Sequence, residues 1–320
     1  MILKNMKNPK YIRRIIPMLL LLVFTFTSSY VYAQDDLENN QVYVQHTAEN
    51  NSDSEQESYL APLIIPVEGD TTNYIDYLED TSSLSANATT PLVQSLNMTA
   101  ASTDTLYQEN NYDSFYEHSV FVGDSLSVGF QNFCKQQSDS IASESTYFLA
   151  KESGSAKAAI SSKALTTYAN IMPEYQGKVQ YIEDSISQMT DIQKVFICYG
   201  MNDLVSSTPE QFVQNMETLI NRILAKNPDV SIYVLSIPCV MADVQTGLLS
   251  NSSIQSANAL LAATCIAKQW GFINTAEYLM NANLAIHEKY SSDGYVHENN
   301  SAYREWTKVL RNYAYESSCS

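Results

Sequence analysis

The most telling shortage in this 320-residue chain is of positive charge: 18 Lys and Arg stand against 35 Asp and Glu, a formal net charge of −17. Residues 34–115 contain no Lys or Arg at all, while holding 15 Asp and Glu. No basic stripe remains for a phosphate backbone, so nucleic-acid binding is excluded. So acidic a chain is also repelled by anionic surfaces, which argues against electrostatic lipid binding. Cysteine is sparse and unpatterned. The five residues Cys134, Cys198, Cys239, Cys265 and Cys319 form no CxxC pair and no metal-ligand spacing. They read as small buried apolar residues, with an odd count that leaves at least one thiol unpaired, most naturally Cys319 in the tail. Beyond residue 33 there is no long apolar run, hence no second membrane span, and no internal repeat. Histidine is limited to His46, His118, His287 and His297.

What is present divides into three parts. Residues 1–33 open with Lys4, Lys7, Lys10, Arg13 and Arg14, continue through an apolar run from Ile15, and end in small residues, with Val31 and Ala33 in the positions a signal peptidase reads. The segment is expected to be a secretory signal or, uncleaved, an anchor through residues 15–33. Either way the protein is expected to be secreted or extracytoplasmic, with a cell-envelope association. Residues 34–115 are acidic and rich in Ser, Thr and Asn. They read as a disordered spacer that cannot bury enough apolar surface to offset chain entropy. Residues 116–320 are expected to form the folded domain.

There the text becomes regular. "SVFVG", "TYFLA", "KVFICYG", "VSIYVLSIP" and "FIN" are apolar strand-like runs, the third being continuous enough to be covered on both faces. Between them stand amphipathic helical segments: one after Asp124 with Leu126, Phe130 and Phe133 on a face, one opened by Thr208 and Pro209, one closed by Gly271, and a last one with Tyr303, Trp306, Val309 and Leu310 on a side. Alternation of strands and helices predicts an α/β domain, a three-layer, doubly wound, flavodoxin-like parallel sheet of about five strands. In such sheets the site lies at the carboxyl ends of the strands.

Those ends carry "GDSL" after the first strand, "AKESGSA" after the second, "GMNDL" after the third, and "SSDGYVHEN" before the last helix. Each alone is weak. Ser125 at a strand-to-helix turn is commonly only a cap, Gly154 only a loop glycine, Asn202 only a turn former, and an Asp with a His four residues on only two surface groups. In order, at one edge of one sheet, they are more: a serine nucleophile needs a base, and the base needs an acid to hold its tautomer.

The four blocks together resemble the SGNH hydrolases, also called the GDSL family of esterases and lipases. "FVGDSLSVG" resembles the first block, "GMND" the third and "DGYVH" the last, while Gly154 matches the glycine of the second. The resemblance covers roughly residues 115–318. It implies the SGNH hydrolase fold, Ser125 as nucleophile, Asp293 and His297 completing the triad, and an oxyanion hole from the Ser125 and Gly154 amides and the Asn202 side chain. It implies no metal and no organic cofactor. It further implies a serine ester hydrolase for a small ester or an acylated carbohydrate, most naturally one removing acetyl groups from extracellular or cell-envelope glycans. An O-acyltransferase using the same residues, or a binding protein that keeps the fold, are the alternatives. The last block departs from the family's usual Asp-x-x-His by one extra residue. A helix-like loop would keep Asp293 and His297 on one face. An extended loop would turn Asp293 away and leave Glu298 or a backbone carbonyl to orient the base.

Overall fold

Four of the strands carry an aromatic ring at the same place, the third residue: Phe121, Phe148, Phe196 and Tyr233. In the structure, a computed structural model that describes residues 91–96 and 100–319, that coincidence becomes a ladder. The strands are β1 (Ser119–Gly123), β2 (Thr146–Ala150), a two-residue pair β3 (Glu174–Tyr175) and β4 (Lys178–Val179), then β5 (Lys194–Cys198), β6 (Ser231–Leu235) and β7 (Gly271–Ile273). The main sheet has the order β2-β1-β5-β6-β7 and is parallel throughout. Its register sets Phe148 beside Phe121, Phe121 beside Phe196 and Phe196 beside Tyr233. The rings stack at centroid distances of 5.3, 4.7 and 4.7 Å. Cross-strand aromatic pairs of this kind stabilise a particular register. The ladder ends at Gly271, opposite Tyr233, where a methyl group would collide with the Tyr233 ring and the Tyr313 hydroxyl.

The helices are α1 (Ser125–Gln136), α2 (Ala156–Ile160), α3 (Ile182–Ile186), α4 (Pro209–Lys226), α5 (Asn251–Lys268) and α6 (Asn300–Cys319). Thr208 and Gln211 close a reciprocal capping box ahead of Pro209, which fixes where α4 begins. The left-handed residue that ends α5 is Gln269, not Gly271. Gly271 is instead the first residue of β7 and is required there for space. The fold is thus the expected α/β sheet, and its strand order reverses between β1 and β5. That switch point is where such sheets form clefts.

The sequence reading extends the spacer to residue 115, but the structure differs from residue 91 onward. Leu92 and Gln94 pair with Phe272 at the free edge of β7, through Phe272 N–H to Leu92 O at 3.1 Å and Gln94 N–H to Phe272 O at 3.0 Å. Residues 110–116 form a 3₁₀ turn that buries Tyr116 completely. Composition averaged over 80-odd residues hid the scattered Leu92, Val93, Leu106, Tyr112 and Phe115, which find partners only on the folded domain. The leader over residues 1–33 and the spacer over residues 34–90 lie outside the described residues. Among the described residues, no helix is long and apolar enough to cross a membrane. All five cysteines are unpaired, four of them buried and Cys319 exposed.

Candidate active site

β1 delivers Ser125. Gly123 ends the strand where a side chain would strike Ser127 and the Cys198 carbonyl, so only glycine lets α1 start this close to β5. Asp124 then caps the helix, its Oδ1 accepting the Leu126 N–H at 3.0 Å. Ser125 is the first helical residue, so its own N–H is among those left without an intrahelical acceptor.

The loop before α6 delivers the base. His297 Nε2 lies 3.2 Å from Ser125 Oγ, and His297 Nδ1 lies 2.6 Å from Asp293 Oδ2. The extra residue in this loop is accommodated by neither a helix nor an extended strand. Gly294 takes φ +69°, and the chain wraps around the Asp293 carboxylate, whose Oδ1 accepts the Tyr295 and His297 N–H groups at 2.8 and 3.2 Å. Burial alone would raise the Asp293 pKa, but the bonds from the His297 ring and the two amides outweigh it and hold the carboxyl below the usual Asp range. Asn299 ties off the loop by donating to the Lys289 and Ser291 carbonyls and accepting from Ser301 at the start of α6. Glu298, the other acid near the base, points into the interior and is buried.

β5 delivers Asn202 through Gly200, which takes φ +135° and packs where a side chain would strike Ile237. Asn202 Nδ2 donates one hydrogen to Gly154 O at 2.9 Å, which joins the loops after β2 and β5 and leaves the second amide hydrogen for a ligand. The Gly154 N–H closes a turn onto Lys151 O at 3.0 Å, so it can serve a ligand oxygen only by sharing that bond. Asp203, which sequence reasoning quoted but gave no task, is fully buried and receives the Ala156 and Lys157 N–H groups at 3.1 and 2.9 Å. It therefore anchors the start of α2 and with it the Gly154 turn. The signal for it was the single acid of "GMND", where a charged residue next to a buried strand end must have a partner.

Burial shapes the charge beneath the site. It is the first cause that pushes Asp124 up to about 7, Asp203 to about 6 and Glu298 to about 8. The remaining histidines lie elsewhere among the described residues: His118, at φ +52°, immediately precedes β1, and His287 caps a 3₁₀ turn. His46 lies outside the described residues. Among the described residues no group of three His, Cys, Asp or Glu side chains is arranged to hold a metal ion.

The arrangement is a hydroxyl in contact with an imidazole, which is itself held by a carboxylate, beside amide donors at one sheet edge. That can activate an oxygen nucleophile and stabilise an oxyanion. A model of the GDSL-like lipase/acylhydrolase family matches residues 121–305, which include Ser125, Gly154, Asn202, Asp293 and His297. The chain belongs to that family. This acylhydrolase is accordingly a carboxylic ester hydrolase. A search of curated proteins gave no match. Among solved structures, the acylhydrolase is similar to a GDSL-like lipase from Bacteroides thetaiotaomicron, at 17% identity over 67% of this chain and 94% of that one, with a TM-score of 0.45. It is also similar to a carbohydrate acetylesterase family member from Sinorhizobium meliloti, at 14% identity over 60% and 95% of the two chains, with a TM-score of 0.40. A lipase/acylhydrolase from Enterococcus faecalis matches at 13% identity over 60% and 93%, with a TM-score of 0.42.

Proposed function

We propose that this acylhydrolase is exported and removes small acyl groups, acetyl above all, from carbohydrate at or beyond the cell envelope, through an acyl-enzyme on Ser125. The observation that carries the catalytic part is the unbroken line from Asp293 Oδ2 through the His297 ring to Ser125 Oγ, at 2.6 and 3.2 Å. In this reading His297 Nε2 takes the Ser125 proton as Oγ bonds to the ester carbonyl carbon. The oxyanion is held by the Ser125 N–H, the second Asn202 amide hydrogen and a shared Gly154 N–H. The carbon–oxygen bond to the alcohol then breaks, and His297 gives that alcohol its proton. Water, deprotonated by the same ring, releases the acyl group and restores Ser125.

The substrate class is supported by the openness of the site. His297 and Asp293 are exposed, which suits a small group carried on a bulky polymer. A cavity of about 380 Å³ is lined by residues such as Cys134 and Tyr147, and one of about 210 Å³ by residues such as Tyr278 and Lys308; neither includes Ser125, Asn202 or His297. No lid-like apolar segment is evident in the sequence for long acyl chains. Export is supported by the basic and apolar leader of residues 1–33.

The test is hydrolysis of p-nitrophenyl acetate, butyrate and octanoate, and acetate release from an acetylated glycan, by the full chain and by Ser125→Ala. Expected are a preference for acetate and a loss of at least about 10³ in kcat in the variant. A preference for octanoate would overturn the small-acyl assignment, and ester formation only with an added sugar acceptor would make the protein a transferase. Sequencing the N-terminus of exported protein should find Gln34 first.

A further inference from the structure

Two acids flank the reacting pair in the sequence. Asp124 immediately precedes Ser125, and Glu298 immediately follows His297. Both are buried, at 1% and 5% exposure. Asp124 has its task as the α1 cap. Glu298 has none: both of its carboxylate oxygens are sealed from solvent and close no hydrogen bond. The nearest polar help is the indole N–H of Trp306 on α6, which acts on the carboxyl yet closes no hydrogen bond of its own. The charged and titratable groups facing this space come from three elements: Asp124 at the α1 cap, Cys198 at the end of β5, and Tyr303 on α6. None of them is a cation. Asp203 in turn raises the pKa of both Tyr199 and Asp124 through its charge.

A carboxylate in such a place is shut off from solvent and faces no countercharge, with only the Trp306 indole N–H acting on it, so its ionised form is strongly disfavoured, whereas the neutral acid is tolerated. The loop's geometry couples that choice to the site. Ser291 and Glu298 form an antiparallel bridge at the base of the loop that carries Asp293 and His297. A charge appearing on Glu298 is therefore driven toward water at the foot of that loop, and away from Asp124 at the foot of the Ser125 turn.

We propose that Glu298 is a positioning residue held as a neutral acid, and that with Asp124 it forms a buried diacid beneath the Ser125–His297 contact whose ionisation at alkaline pH draws the base away from the nucleophile. The proposal rests on the roles given above to Ser125 and His297. Burial as the leading cause, with Asp124 adding to it, sets the Glu298 pKa at about 8. The acid is neutral below that pH and charged above it, so the loss falls on the alkaline limb.

The experiment compares wild type with Glu298→Gln, which keeps the shape of the neutral acid but cannot ionise. One readout is kcat/KM for p-nitrophenyl acetate from pH 6 to 10. The other is the tryptophan emission of each protein over the same range, which needs no turnover and has Trp306 beside the titrating group. Between pH 7 and pH 9 the wild type is expected to lose about tenfold in kcat/KM, as a single group of this pKa requires, while Glu298→Gln loses less than twofold. An emission change centred near pH 8 should appear in wild type and vanish in the variant. An alkaline limb that is the same in both proteins would overturn the proposal, as would a wild-type emission flat across pH 8. Absence of Ser125-dependent turnover would sink the esterase roles instead, and the emission titration would still decide whether Glu298 is held neutral.

Discussion

The extra residue between Asp293 and His297 makes Asp293→Asn the most informative single change. The Asp293 side chain does two separable jobs. Its Oδ1 takes the Tyr295 and His297 amides at 2.8 and 3.2 Å, shaping the loop, and its Oδ2 lies 2.6 Å from His297 Nδ1. Asparagine can keep the first job with its carbonyl oxygen facing the two amides. Its amide nitrogen then faces Nδ1 and donates to it. That selects the tautomer with hydrogen on Nε2, the ring atom 3.2 Å from Ser125 Oγ, which can no longer accept the serine proton. In a serine triad this tautomer error costs about 10⁴ in kcat. The fold should barely respond, because the backbone bonds persist and both side chains are exposed. The expected result is therefore kcat for p-nitrophenyl acetate down by about 10³–10⁴, with Tm within a few degrees of wild type. Asp293 itself should stay ionised to below the ordinary Asp range, since the His297 ring and the two amides outweigh burial, so the carboxylate holds the ring's tautomer throughout the assay range. A loss of less than tenfold in Asp293→Asn would show that the lengthened loop orients His297 by other means, and the reasoning would fail.

Asn202→Ala should lower kcat by about 10²–10³ with little change in KM. It also leaves the carbonyl of buried Gly154 without its 2.9 Å donor. Gly123→Ala places a methyl against Ser127 and the Cys198 carbonyl. It should cost about 1–3 kcal/mol in chemical denaturation and lower turnover beyond that, because the displaced turn is the one that carries Ser125; wild-type activity in a folded Gly123→Ala protein would contradict this.

How much of this was legible in the chain depends on how local each determinant is. The five strands were readable because each is a short apolar run, and four carry their aromatic at the same register position. The start of α4 was readable because Thr208 and Pro209 act within one turn. The order of the site residues along the chain was readable because each follows a strand or precedes the last helix. What was not readable depends on partners far away in sequence. α2 and α3 have five residues each and no periodicity to detect; α2 is started by Asp203, 46 and 47 positions from the amides it accepts. The Gly154 amide looks free in the sequence but is committed to Lys151. Glu298 looks like a surface acid in "VHENN", and only the packing of α6 and β5 over it removes it from water. The sequence left open whether Glu298 or Asp293 turns toward the base, and the answer lies in a wrapped turn at Gly294 that neither helical nor extended geometry anticipates.

The segment before residue 117 shows the same dependence on distant partners, and its removal can be worked through. A chain trimmed to begin at residue 100 loses the pairing of Leu92 and Gln94 with Phe272, the Tyr313 hydroxyl's bond to Leu92 O at 2.6 Å and the bonds of Asn274 to Gln94 and Ser95. These bonds lie at the free edge of β7, where water can replace them in part, so the loss should be about 3 kcal/mol. Trimming to residue 117 also removes Tyr116, whose ring is fully buried against Phe196 and whose hydroxyl donates to Leu310 O at 2.6 Å. It strips Asp113 from the buried Arg311 guanidinium as well, leaving Asp139 as that cation's carboxylate. Emptying a buried aromatic site alone costs about 3–5 kcal/mol, and half-unpairing a buried charge adds to it. The sum approaches the whole stability of an ordinary domain, about 5–15 kcal/mol. The chain from residue 100 should therefore unfold cooperatively at a lower denaturant midpoint and keep its esterase activity, since the Ser125 edge is at β1 and β5, away from β7. The chain from residue 117 should be mostly unfolded or aggregated at 37 °C. Cooperative unfolding of the chain from residue 117 at the wild-type midpoint would show that these residues are an ornament on the domain and not part of its core.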